Sequence, residues 1–312
     1  MSVHVGDEAE MGVVQLQRKR TFWETLTSEK YFKWTLLIPL LAVLSVFMLY
    51  PLFFCIDESL YESTLTGKTG FVGWENYRVV LHDAAFWLSL RNTFQILLLS
   101  LAGELALGIG IALLWNREFR GQNTVRGLCF LPLLASPLAM SLVWNVLLHY
   151  DVGLVNQIFL AVGIPKVQFF SMALGKYSIA LINIWQWFPF SVFVLLAGLK
   201  GLPKDAFEAA KVDGASAWYT FRKLTLPMLS PLIMIIVLLR TMWLIRLFDP
   251  IYGTLRQARE AETLDYFVFR IAFSYFDIGI GSTLAVISLF LTIIVCAILF
   301  RYLMLALGAA KR

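Results

Sequence analysis

Six runs of mostly apolar residues set the terms for this chain. They are Trp34–Ile56, Phe94–Trp115, Leu128–Leu148, Ile179–Leu199, Met228–Tyr252 and Ile280–Leu303. A helix needs about 20 such residues to cross the hydrocarbon core of a bilayer. No water is present there, so backbone N–H and C=O groups must bond within the segment, which predicts helices. None of the runs alternates as a membrane barrel strand does. Charged residues make up 15% of the 312 and hydrophobic ones 59%, whereas soluble domains carry about 25% charged residues. The mean hydropathy is +0.73. The expected fold class is all-α: a polytopic membrane protein with six transmembrane helices. The net charge of +5 is accordingly read against a lipid partner, and no nucleic-acid partner is expected.

Placing the charges gives a topology. Of the 26 Lys and Arg, sixteen fall in the N-terminal tail, the second-to-third connection, the fourth-to-fifth connection and the C-terminal end. Seven fall in the other three connections, and Arg91, Arg240 and Arg246 lie in or at the edge of spans. The positive-inside rule then predicts that both termini and the fourth-to-fifth connection are cytoplasmic. The expected organisation is a cytoplasmic tail over 1–33, a transmembrane domain over 34–305 and a cytoplasmic tail over 306–312. The N-terminal tail is polar and the first apolar run is too long for a signal-peptide core, so no cleavable leader is expected.

Cys55, Cys129 and Cys296 lie in three different apolar runs, which suggests packing residues and no disulfide framework. His4, His82 and His149 are scattered without metal-ligand spacing. The stretch "TGKTG" at Thr66–Gly70 is faintly similar to a phosphate loop. That motif needs a glycine five positions before Gly67, and residue 62 is Glu. The chain therefore shows no ATP site of its own.

The fourth-to-fifth connection is longer than a bare linker requires. It reads "GLPKDAFEAAKVDGASAWYTFRKLTLP" from Gly201 to Pro227. Pro203 suits a first helical turn, and Asp205 favours the positive end of the helix dipole. Phe207, Ala210 and Lys211 recur at helical spacing beside Glu208. Ala209 and Ala210 combine high helix propensity with little bulk, so another backbone can approach closely. Asp213-Gly214 stops this helix, because Gly accepts positive φ and Asp bonds its local backbone. A second short helix is predicted over Ser216–Leu224, and Pro227 opens the fifth span. Physics leaves two readings: an amphipathic hairpin resting on lipid headgroups, or a docking element for a soluble partner.

The stretch "EAAKVDGASAWYTFRKLTLP" resembles the EAA loop of permease subunits in binding-protein-dependent ABC importers. That pattern, EAA, three positions, G and a later LP, stands here as Glu208, Ala209, Ala210, Gly214, Leu226 and Pro227. Asp213, Gly214 and Ala215, and Leu202–Lys204, are similar to the sugar branch, which includes maltose-, trehalose- and glycerol-phosphate-type permeases. Two flanking segments, "IWQWFPF" (Ile184–Phe190) and "RTMWLIRLFDPIY" (Arg240–Tyr252), also resemble that branch. The resemblance implies a five-helix permease core over about 87–305, with a coupling loop over 200–227. It implies a second, homologous permease, two ATP-binding subunits and an extracytoplasmic solute-binding protein as partners. ATP would be bound by the partner ATPase, with no cofactor, metal or catalytic residue in this chain. The setting would be the cytoplasmic (inner) membrane. Glu208, Ala209, Ala210, Asp213, Gly214, Ala215 and Pro227 would form the ATPase-coupling surface, with Glu208 as the anchoring carboxylate.

Intramembrane charge is costly and is read as functional by default. Arg240, Trp243, Leu244 and Leu247 share one helical face by spacing. The resemblance implies that this stripe, with Asn183, Trp187 and Phe190 on the fourth span, contacts a sugar. Trp187 and Phe190 offer faces for a pyranose, while Asn183 and Arg240 offer hydrogen bonds; packing or an interfacial belt is the alternative for the aromatics. Leu244 and Leu247 stand where the maltose-type pattern has polar residues, and Arg240 raises the option of an anionic substrate. Glu104, in mid-span near Gly108 and Gly110, must face the interior and find a donor or a proton. A charged stretch, "GTLRQAREAETL" (Gly253–Leu264), replaces the glycine-rich segment of relatives. Two other classes carry different signatures. A proton- or ion-coupled secondary transporter expects inverted repeats and broken helices, and an intramembrane enzyme expects a paired catalytic set. Neither pattern stands out.

Overall fold

A computed structural model describes residues 29–254 and 261–309. The contacts divide the chain into two units, 1–54 and 55–312. The described part of the first belongs to helix α1 (Glu29–Glu58), which contains Pro39 and Pro51. The predicted N-terminal tail lies outside the described residues as far as 28, as does the predicted C-terminal tail from 310.

The second unit opens with an antiparallel hairpin, β1 (Tyr61–Thr64) and β2 (Gly67–Phe71). The "TGKTG" stretch forms its turn and much of its second strand. Lys68 pairs with Asp57 there and lies over the Tyr61 ring. The short helix α2 (Glu75–His82) follows, and its Asn76 Nδ2 donates to the Ser59 and Tyr61 carbonyls at 2.9 Å each. The hairpin was not expected from sequence: it is brief, and Gly, Lys and Thr hide its period.

Five helical stretches among the described residues are long and apolar enough to cross a membrane, or six if one bent pair is a single span. They are Leu37–Glu58 of α1, α3 (Ala84–Trp115), α7 (Gly175–Lys200), Ala217–Ile245, and Ile278–Leu305 of α13 (Ile278–Ala309). The bent pair is α4 (Gln122–Leu134) and α5 (Pro137–Leu147), which meet at 99°. The third predicted span is thus an elbow. Pro137 keeps Ser136 out of the helical region (φ −59°, ψ 130°), and Ala135 is extended as well. The carbonyl freed at Ala135 accepts a bond from the buried Gln186 Nε2 at 3.2 Å. Helix α6 (Leu154–Ala161) lies between α5 and α7 in sequence.

The predicted fifth span also ends early. Helix α10 (Leu226–Ile245) stops at Arg246 (φ −99°, ψ 35°), and a short α11 (Asp249–Thr254) begins with Pro250 in its first turn. Pro250 lacks an N–H and would clash with the carbonyl four residues back, so the apolar run cannot remain one helix. Helix α12 (Leu264–Phe269) and a wide π turn (Arg270–Ser274) lead to α13.

Helices α3 and α7 form the spine. A Cβ added at Gly108 would lie 2.6 Å from the Ser191 Cβ, so only Gly permits this approach. Gly110, expected to act likewise, meets no atom within 4 Å. Apolar side chains fill two regions along the spine. Ala112, Val192, Leu195, Leu229 and Ile236 pack near the Gly201–Pro227 loop, and Ile96, Ile179, Leu244, Ile245 and Ile251 pack further along.

Candidate functional site

The loop begins with α8 (Lys204–Val212), capped by Pro203, with Asp205 in its first turn. Pro203 therefore precedes the helix instead of starting it. The helix ends in a Schellman motif: Gly214 N donates to Lys211 O at 3.2 Å, and Ala215 N to Ala210 O at 2.9 Å. Gly214 has φ +71° with open space around it, so backbone conformation alone requires glycine. Ser216 Oγ then accepts from Tyr219 N at 3.2 Å, starting α9 (Ala217–Thr220). No second, separate helix follows. The chain runs from α9 through a π turn (Phe221–Thr225) into α10, as one helical stretch to Ile245. Pro227 sits in the first turn of α10 and cannot donate to Lys223 O. The widened turn, with Leu226 N bonded to Phe221 O, lies immediately before that missing donor.

Glu208, Ala209, Asp213, Gly214 and Pro227 are exposed, and Ala210 and Ala215 are half-buried. Val212, Trp218 and Tyr219 add large exposed apolar side chains, with the Trp218 ring tilted against Phe221 at 5.6 Å. Behind α8 lies a cavity of about 720 Å³ whose lining includes Glu208, Lys204, Lys211, Lys200, Arg117 and Arg126. The predicted coupling residues Glu208, Ala209, Ala210, Asp213, Gly214 and Ala215 thus lie on α8 and the turn that ends it, and Pro227 lies at the start of α10.

The second cluster is buried between α3, α7 and α10. Glu104 and Arg240 are almost wholly buried, at 0% and 1% exposure, and Asn183 is at 2%. Arg240 Nε donates to Glu104 Oε2 at 2.6 Å and Nη2 to Glu104 Oε1 at 2.7 Å. Nη2 also donates to Asn183 Oδ1 at 2.8 Å. Charge-assisted, two-point pairing of this kind is strong and directional. The Arg240 guanidinium lies 4.4 Å from the Trp187 ring and 5.6 Å from Trp243. Trp187 and Trp243 are 4.6 Å apart, and Phe190 is 6.3 Å from Trp243.

These residues border a cavity of about 290 Å³, at the small end of the ligand-pocket range of about 300–1,000 Å³. Asn183, Trp187, Arg240, Trp243, Leu244 and Leu247 all line it; Phe190 does not, and reaches it only through Trp243. Leu244 and Leu247 are also core residues, 1% and 7% exposed. Sequence reasoning did not single out Phe248, Asp249 and Pro250, which line the cavity too, together with Pro137 and Met242. The signal for them was the Asp-Pro pair that breaks the apolar run. Arg246, expected within the span, caps its end and is exposed, with Nε 3.5 Å from Asp265 Oδ2. Burial pushes the Asp265 and Asp249 carboxyls above the usual range; for Asp265, Ser288 and Arg246 pull the other way.

A strap closes the neighbouring end. Thr263 Oγ1 donates to Leu247 O at 2.7 Å, Leu264 N to Thr93 Oγ1 at 2.9 Å, and Asn92 Nδ2 to Glu262 O at 3.1 Å. Glu262 holds Arg270 at 2.7 and 2.8 Å, which raises the guanidinium's already high pKa. Half of the charged stretch singled out at Gly253–Leu264 lies outside the described residues, at 255–260.

Residues 104–310 match the family model described as the binding-protein-dependent transport system inner membrane component. The chain belongs to this family. Its relatives include the trehalose/maltose transport system permease protein MalF of Thermococcus litoralis, 31% identical over 83% of this chain and 88% of that one. Another is the sulfoquinovosyl glycerol transport system permease protein SmoG of Agrobacterium fabrum, 32% identical over 85% and 88%. The fold is shared with a bacterial alginate ABC transporter crystallised with an alginate pentasaccharide-bound periplasmic protein. The TM-score is 0.74 at 19% identity, covering 91% of this chain and 95% of that one. The protein is thus an ABC importer permease, a membrane component of such a system.

Proposed function

We propose that this permease forms half of the path by which an ATP-driven importer moves a sugar across the cytoplasmic membrane. A second, homologous permease, two ATP-binding subunits and an extracytoplasmic solute-binding protein would complete the complex. The observation that carries this reading is the join between loop and cavity wall: α8, with Glu208, turns at Gly214 into the helical stretch Ala217–Ile245. The exposed loop at Glu208–Pro227 continues through the π turn into α10, and α10 carries Arg240 and Trp243 on the cavity wall. Force applied at the loop is thereby delivered to the cavity, as alternating access requires.

The cavity supports a carbohydrate ligand chemically. Half-buried indole faces next to hydrogen-bonding groups suit a ring with one apolar face and a rim of hydroxyls. The substrates for which the relatives are named, trehalose, maltose and a sulfoquinovosyl glycerol, belong to that class. Trp243 is half exposed and Arg246 more so. Polar cavity walls are poorly placed against lipid, which supports a second permease covering them. By the positive-inside rule, the loop and both termini face the cytoplasm.

The test is reconstitution of the purified permease pair with and without its ATPase in proteoliposomes. Uptake of radiolabelled trehalose or maltose should require internal ATP and the solute-binding protein. Uptake driven by a proton or sodium gradient alone would instead establish a secondary transporter.

A further inference from the structure

We infer that Glu104 is a specificity-determining residue: it cancels the charge of Arg240, so that the cavity selects uncharged sugars over anionic ones. This rests on the reading of the cavity as the sugar-facing surface. By sequence, Arg240 alone pointed toward an anionic substrate. In the structure its guanidinium is already bound along its Nε–Nη2 edge by both oxygens of the buried Glu104 carboxylate, at 2.6 and 2.7 Å. The Asn183 Oδ1 takes a further Nη2 hydrogen at 2.8 Å. Nη1 makes no hydrogen bond to a described residue, and Arg240 lines the cavity. What remains on offer is a neutral pair of N–H donors held above the Trp187 ring, suited to a hydroxyl or ring oxygen.

The other charges around the cavity agree. Arg246 is paired with Asp265 at 3.5 Å, and Asp249 lines the wall without an ion pair to any described residue. The set as a whole presents no uncompensated cation. An anionic sugar would enter beside Asp249 and close to Glu104, and like charges brought together oppose binding. A buried ion pair is no cheaper than well-packed apolar residues. Its placement at the wall of a ligand-sized cavity is therefore better explained by what it presents to the ligand than by stability.

Glu104 acts through Arg240, so it is a positioning residue, and its test must read selectivity. The assembled importer, in nanodiscs, is examined by saturation-transfer NMR with glucose, glucuronate and protonated glucosamine. Wild type should prefer glucose to glucuronate by at least about tenfold. Glu104→Gln exposes the Arg240 charge and should move the preference toward glucuronate by about tenfold, while Glu104→Asp keeps the wild-type order. Asn183→Asp adds a second carboxylate on Nη2, leaves Arg240 fully bonded, and should shift preference toward glucosamine. If Glu104→Gln does not assemble, Asn183→Asp decides. A wild-type preference for glucuronate, or an unchanged order in the assembled variants, overturns the inference. Silence of wild type toward all three probes and toward trehalose and maltose removes the carbohydrate reading itself, and this inference with it.

Discussion

Glu104 and Arg240 stand 136 positions apart, and the bond between them joins the first and last helices of the α3–α7–α10 cluster. Removing one partner leaves a buried, uncompensated charge, which costs roughly 3–5 kcal/mol, whereas replacing both with apolar residues is often neutral. Arg240→Leu should therefore lower the thermal midpoint of the detergent-purified permease markedly, and Glu104→Leu in the same chain should recover most of it. A double variant no more stable than the single one would deny the pair its structural part. Gly214 allows a local test. Its φ of +71° costs an L-residue about 1–2 kcal/mol, so Gly214→Ala should speed amide exchange at Gly214 and Ala215 with no change in the spans. Both sites were partly legible. Glu104 and Arg240 were each read as needing a reason to sit in the membrane, and Gly214 as a helix stop. That the first two satisfy each other was not read, because spacing along a helix carries no information on which helices meet. Opposite charges in mid-span on two helices are nonetheless a pairing signal.

At the scale of elements, hydropathy located every apolar run but not the breaks within the third and fifth. Both breaks sit at prolines, Pro137 and Pro250, whose effect on the backbone is local and readable. What could not be read was how each break is stabilised. The elbow at Ala135–Ser136 is bonded by Gln186 from α7, a residue inside the quoted Ile184–Phe190 segment to which no role had been given. Gln186→Leu would remove the partner of the half-buried Ala135 carbonyl and should destabilise the purified protein by about 1–3 kcal/mol, measured as a fall in the unfolding midpoint. An unchanged midpoint would mean that the elbow is held by apolar packing alone. The brief hairpin β1–β2 escaped for the opposite reason: it is too short and too polar to carry a period.

For the whole molecule, the question is whether the loop and the cavity work as one device. Glu208 is exposed and makes no hydrogen bond or ion pair with a described residue, so reversing its charge should leave the permease itself intact. In the same loop Val212, Trp218 and Tyr219 stand exposed. Glu208→Lys should therefore separate folding from transport. In proteoliposomes holding the complete importer, ATP-driven trehalose or maltose uptake should fall by at least about tenfold, as expected when one member of an interfacial charge contact is reversed. The melting profile of the permease alone should match wild type. Two results would count against a mechanical role for this loop: uptake at the wild-type rate with the ATPase bound, or a loss of uptake that tracks a loss of permease stability. The first would mean that the loop transmits nothing, and the second that Glu208 serves the fold. Only a loss of uptake with stability kept, and with hydrolysis no longer raised by the loaded binding protein, fits a joint that carries the ATPase stroke along α10 to Arg240.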